Sequence, residues 1–220
     1  MAPRVLAVGE ALIDVVHATD GTLTEHPGGS VANVAVAVAR LGGTVELATW
    51  IGRDEYGSRL TDWLVSSGVV LSPGSDQATR TPSATASVDG DGRASYEFDV
   101  AWHLAAGVEV DPDVVAVHTG SIAAVLEPAV RRLVAEARTT ATITYDPNVR
   151  PAIMGSPDTV RAIVEELVGL ADVVKVSDED LAWLEPDVPA QAVAERWSRS
   201  GPAIVVLTRG AAGAHAWCAA

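Results

Sequence analysis

Pro27-Gly28-Gly29-Ser30-Val31-Ala32-Asn33 opens an alanine and valine run, Val34-Ala35-Val36-Ala37-Val38-Ala39-Arg40-Leu41, that stops at Gly42-Gly43. The run predicts a buried helix, with Ser30 as its N-cap and Gly42 as its C-terminal stop. Paired glycines ahead of a helix leave the backbone bare, so a ligand can lie directly against it. Asn33, in the first turn, offers an amide donor and an acceptor together. These features suit a neutral, hydroxyl-rich ligand better than a metal or a nucleobase. The plainer alternative is a loop that only caps a buried helix.

Working outward, Val5–Gly9 predicts a buried first strand that delivers Glu10 and Asp14 near its carboxyl end. Asp14 stands among Leu12, Ile13, Val15 and Val16, where a carboxylate is costly without partners. The bland alternative for it is a solvated position on an edge strand. Residues 12–27, broken by Thr19-Asp20-Gly21-Thr22, predict a hairpin projecting from the sheet. Ala84–Val88, the turn Asp89-Gly90-Asp91-Gly92, and Ala94–Phe98 predict a second strand pair. The two pieces are expected to share one small sheet that covers a cleft, with Tyr96, Phe98 and Trp102 on its inner face. Elsewhere strands (Val45–Ile51, Val114–His118, Thr142–Tyr145, Asp172–Val176, Ala203–Leu207) alternate with helices (Ser58–Ser67, Glu127–Arg138, Asp158–Leu170, Leu181–Leu184, Ala190–Ser198). That alternation implies an α/β fold with a parallel sheet and helices on both faces.

The 220 residues suffice for one substantial core, and 48% of them are hydrophobic. A formal net charge of −14 opposes phosphate backbones and anionic membranes, so neither a nucleic-acid nor a membrane partner is expected. A single cysteine, Cys218, excludes an internal disulfide and fits a reducing cytoplasm. No apolar run approaches the length of a membrane span. Neither Gly-x-Gly-x-x-Gly nor a Walker-type Gly-Lys-Ser/Thr occurs, which argues against a nicotinamide oxidoreductase and against P-loop chemistry. His17, His26, His103, His118 and His215 are scattered without metal-ligand spacing.

Polar clusters recur where predicted strands end: Asp14, Asp146-Pro147-Asn148-Val149-Arg150, Ser177-Asp178-Glu179-Asp180 and Thr208-Arg209-Gly210. In a parallel sheet such ends share one edge and can face one crevice. Arg150 and Arg209 carry guanidinium forks that fit phosphate oxygens. The acidic trio could recruit Mg²⁺ through water, although carboxylates in a first helical turn also serve the helix dipole alone.

On these motifs the chain resembles the ribokinase-like (PfkB) carbohydrate kinases, fructokinases most of all. Gly28-Gly29-Ser30-Val31-Ala32-Asn33, followed by Gly42 and Gly52, is similar to the family's first signature. Gly9-Glu10-Ala11-Leu12-Ile13-Asp14, Gly52-Arg53-Asp54-Glu55-Tyr56-Gly57, Asp146–Arg150, Val174–Asp180 and Leu207–Gly210 match further segments in order. The resemblance implies a three-layer ribokinase-like sandwich with a mostly parallel central sheet and a small β-sheet lid. Residues 1–11, 28–80 and 103–220 would form the core, and 12–27 with 81–102 the lid. It implies transfer of the ATP γ-phosphoryl group to a sugar hydroxyl, with ATP and Mg²⁺ as cofactors and a cytoplasmic homodimer joined through the lid. Asp14, Gly28, Gly29 and Asn33 would hold the sugar, with Tyr96, Phe98 and Arg150 as further contacts. Asn148, Ser177, Asp180, Thr208 and Gly210 would serve the nucleotide, Asp180 also reaching the metal through water.

Ser177 and Asp180 stand where the family commonly has Asn and Glu, and Val31 where a small residue or proline is usual. Members also continue into a glycine-rich Asp-Thr-x-Gly-Ala-Gly-Asp segment, whose last Asp takes the hydroxyl proton. Here the sequence ends at Trp217-Cys218-Ala219-Ala220, and Gly210-Ala211-Ala212-Gly213 offers no acid. The expectation is therefore the sugar-binding, lid-bearing part of a kinase, with no catalytic base assigned. A non-catalytic sugar-binding or dimerising protein on the same scaffold is the alternative.

Overall fold

The computed structural model describes the chain apart from residues 1–2, 19–20, 89–93 and 219–220. Cα packing divides it into two compact units, one running to Glu109 and one from Val110 onward.

In the first unit, β1 (Arg4–Val8) pairs in parallel with β4 (Thr44–Ala48), and β4 with the short β5 (Val70–Leu71). Helix α1 (Ser30–Arg40) packs on β1 and β4 through Val31, Ala32, Ala35 and Val36, all buried. Small side chains let the helix sit close: a Cβ on Gly9 would stand 2.3 Å from Val31 Cγ2. Together with Ile51, Leu60, Leu64 and Val69 these residues make one apolar core.

The N-cap of α1 is Gly29 rather than the expected Ser30, which is instead the first helical residue. At φ 107° this position is outside the range ordinary side chains adopt, so the cap is made by backbone alone. The C-terminal stop follows expectation. Gly42, at φ 88°, donates to Ala39 O and Gly43 donates to Val38 O, both at 2.9 Å, which is a Schellman closure.

A second, four-stranded sheet belongs to the same unit, in the order β3 (Leu23–Gly28), β2 (Leu12–His17), β6 (Ser83–Val88), β7 (Ala94–Asp99). β2 runs antiparallel to β3 and parallel to β6, and β6 antiparallel to β7. The tips of both predicted hairpins, at Thr19-Asp20 and at residues 89–92, fall outside the described residues. Helix α2 spans Glu55–Ser66, starting three residues before the predicted Ser58 because Asp54 caps it by accepting from Gly57 N–H at 2.8 Å. Trp63, half-buried, packs on the core.

The second unit alternates β8 (Val114–Gly120), α3 (Ser121–Leu126), α4 (Pro128–Ala137), β9 (Thr142–Asp146), α5 (Pro151–Met154), α6 (Pro157–Leu170), β10 (Val173–Ser177), α7 (Asp178–Leu184), α8 (Ala190–Trp197) and β11 (Ile204–Thr208). β8, β9, β10 and β11 are mutually parallel neighbours. β12 (Ala214–Cys218) closes that order antiparallel to β11, an edge strand the βα alternation did not predict. α3 was also missed, its small residues lacking a capping signal ahead of them. Among the described residues no helix is long and apolar enough to cross a membrane.

Candidate functional site

In the first unit the site grows from the junction of β3 and α1. Gly28 is buried, and a Cβ there would lie 2.3 Å from Asp14 Oδ2, so only glycine lets the carboxylate rest against the chain. One residue on, a Cβ on Gly29 would meet Glu10 O at 2.4 Å. Asn33 donates its backbone N–H to Gly29 O at 2.9 Å and leaves its side chain exposed. Asp14 lies against Gly28, and Asn33 follows Gly29 by one helical turn. Asp14 does not come from the carboxyl end of β1 as predicted. It stands within β2 of the small sheet, exposed between buried Ile13 and Val15, while Glu10 is buried just beyond β1.

Strand register extends this surface. Asp14 pairs with His26 on one side and Ala84 on the other, and Ala84 with Phe98. Residues paired directly across strands share a face, so His26, Asp14, Ala84 and half-buried Phe98 form one row. The next row, Thr24–Val16–Ala86, lies two residues along on that face, and Ala86 pairs in register with Tyr96. Only the backbone position of Tyr96 falls among the described features. Trp102 is buried, at 3% exposure, and follows β7 outside the strands of the small sheet.

In the second unit the parallel strands end together. Ser177 pairs with Thr208, and Asp146 closes the neighbouring strand. Lys175 Nζ lies 3.2 Å from Asp146 Oδ2. Burial pushes the Asp146 carboxyl above its ordinary value, and Lys175 only partly offsets this. A Cβ on Gly120 would stand 2.3 Å from Asp146 O, so the close approach of β9 requires glycine there.

The Asp146–Arg150 loop is held from two directions. Asp180 Oδ1 accepts from Val149 N–H at 2.8 Å, and its Oδ2 accepts from Ser177 N–H at 3.2 Å. Ser177 Oγ in turn accepts from Asp180 N–H at 3.0 Å, a capping box that opens α7. Arg150 Nη1 donates to Asn148 O, Asn148 Oδ1 and Val149 O at 3.2, 3.0 and 2.9 Å. This clamp holds Asn148 at φ 36°, among the described residues the one non-glycine at positive φ. One guanidinium nitrogen of Arg150 is therefore committed to the loop. Thr208 Oγ1 donates to Val176 O at 3.4 Å, and Gly210 takes φ 50° in the single 3₁₀ turn that follows.

Three features here were not read from sequence. The Ser177-x-x-Asp180 spacing is a capping-box signal that went unused, whereas the Lys175–Asp146 pair depends on strand register. His118, buried within β8, shares a hydrogen bond with Thr144 Oγ1 of β9 at 2.9 Å.

The model for the pfkB family carbohydrate kinases matches residues 2–217. A fructokinase of Rhizobium leguminosarum bv. trifolii is 32% identical, the match covering 97% of this chain and 69% of the relative. The crystal structure of fructokinase with bound ATP from Xylella fastidiosa superposes with a TM-score of 0.79 at 26% identity, covering 99% of this chain and 72% of that one. Fructokinase from Vibrio cholerae O395, in a form bound to fructose, ADP and calcium ion, gives 0.78 at 28% identity, covering 98% and 73%.

Proposed function

Given that the chain belongs to the pfkB family of carbohydrate kinases, we propose that it transfers the γ-phosphoryl group of ATP to a hydroxyl of a fructose-like sugar. The observation that carries this reading is the carboxylate of Asp14 lying against Gly28 beside the bare backbone of Gly29. A carboxylate accepts two or more sugar hydroxyls, the exposed Asn33 amide both donates and accepts, and Phe98 offers an apolar face to the ring's C–H groups. The small sheet carrying Asp14 and Phe98 acts as the lid, and its pairing in a cytoplasmic homodimer belongs to the same reading.

The nucleotide falls to the second unit. Asn148, Ser177, Asp180, Thr208 and Gly210 stand at or just past the strand ends, and Arg150 keeps further N–H groups for a phosphate or a sugar oxygen. Both relatives named with a nucleotide are fructokinases, one with ATP and one with ADP and fructose. Mg²⁺ fits only as a guest of the phosphates. Among the described residues no three His, Cys, Asp or Glu side chains converge, and both Asp180 oxygens already accept backbone N–H groups. Asp180 would hold a water of the hydrated ion, whose charge offsets that of the phosphates.

Thermal unfolding with and without fructose tests the reading, since a ligand of the native state raises the midpoint. Fructose is expected to stabilise Asp14→Asn far less than the wild type, the exposed site leaving the fold intact. ADP release coupled to fructose then separates a kinase from a sugar-binding protein. Equal midpoints with and without fructose, and with other hexoses and pentoses, refute the proposal.

A further inference from the structure

Asp14 is only as well placed as the strand that carries it. β2 lies between β3 and β6, and helix α2 holds both of these neighbours. On β3, Glu25 accepts from the Tyr56 hydroxyl at 2.5 Å and from Arg59 Nη1, while Arg59 Nη2 donates to Glu25 O at 3.2 Å. The Arg59 guanidinium stands 5.7 Å from the Tyr56 ring centre, closing a three-sided cluster. Just ahead of β6, Thr81 donates its N–H and its hydroxyl to Asp54, the α2 N-cap, at 2.8 and 2.6 Å.

Register sets the relation to the sugar side. Glu25 pairs with Val15, the residue after Asp14. Because faces alternate along a strand, Glu25 and Val15 face away from the row that holds Asp14. A tug on Glu25 therefore moves the strand behind the carboxylate without touching a ligand.

We propose that Glu25, Tyr56 and Arg59 are positioning residues for the sugar site, bracing β3 against α2 so that Asp14 and Gly28 keep their place at the mouth of α1. The inference rests on the reading of Asp14 as a sugar ligand. The cluster is partly exposed, with Glu25 and Arg59 side chains at 25% and 35%, so it adds little to global stability. Its geometry is nonetheless specific: the carboxylate is gripped through both oxygens by two residues three apart on one helix. Tyr56 and Arg59 together hold Glu25 ionised, drawing its carboxyl below the ordinary value.

The test is fructose binding by calorimetry, with the nucleotide titrated separately, in the full chain carrying Glu25→Gln, Tyr56→Phe or Arg59→Met. Each is expected to weaken fructose roughly tenfold, the scale of a small misplacement, with nucleotide affinity and melting midpoint unchanged. Arg59→Lys should recover part of the loss. Glu25→Gln added to Asp14→Asn should weaken fructose no further than Asp14→Asn alone, because Glu25 acts through Asp14. Wild-type fructose affinity in all three variants overturns the inference, as does full additivity with Asp14→Asn. If Asp14→Asn itself binds fructose like the wild type, the functional reading fails first and the inference with it.

Discussion

Replacing Asp54 with alanine removes one carboxylate that serves both a helix and a strand. It caps α2 through Gly57 N–H, and it accepts the N–H and hydroxyl of Thr81, which is 2% exposed. Losing the cap costs about 1 kcal/mol. Leaving the buried Thr81 amide without an acceptor costs about 1–3 kcal/mol more. The Thr81 hydroxyl keeps a weak alternative in Gly52 O at 3.4 Å, so it adds little. A total near 3 kcal/mol in a chain of 220 residues lowers the melting midpoint by about 6–12 °C. Acid provides the second arm. Burial opposes ionisation of Asp54, but the hydrogen bonds from Thr81 and Gly57 outweigh it, so the carboxyl titrates below its ordinary 3.8. A folded value below the unfolded one means the contribution is whole above the unfolded value and is lost as pH falls through the folded one. Calorimetric scans of wild type and Asp54→Ala from pH 7 to pH 3 should show a gap that narrows below about pH 4. A midpoint within about 2 °C of wild type at pH 7, or a gap unchanged at pH 3, refutes the reasoning.

Gly29→Ala sets a methyl 2.4 Å from Glu10 O at φ 107°, and should lower stability by about 3 kcal/mol while abolishing the fructose-induced shift. An unaltered midpoint and shift in differential scanning fluorimetry would count against the bare-backbone account. Burial pushes His118 down to about 4, so the unfolded chain takes up a proton between its own value of 6.5 and 4 that the folded chain refuses. Stability should therefore drop by up to about 3 kcal/mol as pH falls through that window, and His118→Leu should flatten the slope. Urea unfolding at pH 7 and pH 4.5 reads this directly, and equal slopes for both proteins dismiss it.

The βα alternation was legible because buried parallel strands are near-continuous aliphatic runs, as in Ile204–Thr208, bounded by capped helices such as Pro157–Leu170. The small sheet was legible through its Gly-Asp turns and β-branched pairs. What escaped was whatever depends on pairing between distant strands. Asp14 was expected near the carboxyl end of β1, since nothing local separates that end, at Val8, from the start of β2 at Leu12. Nothing local links Tyr56 and Arg59 to Glu25, because only the packing of β3 against α2 brings the three together. At the strand ends, Asp180 read as a carboxylate for a hydrated metal or for the helix dipole, although its spacing from Ser177 already carried a capping box.

The pairing of β2 with β3, in step from Leu12–Gly28 to His17–Leu23, makes the two ends of this hairpin unequal in their tolerance of length. Extra residues between His17 and Leu23 only enlarge a loop, at an entropic penalty that grows slowly. One residue inserted inside β2 would turn Asp14 toward α2 and push Val15 into water, inverting the whole strand. Grafts and tags therefore belong at the tip of the hairpin, and length polymorphism among natural variants is expected to gather there as well.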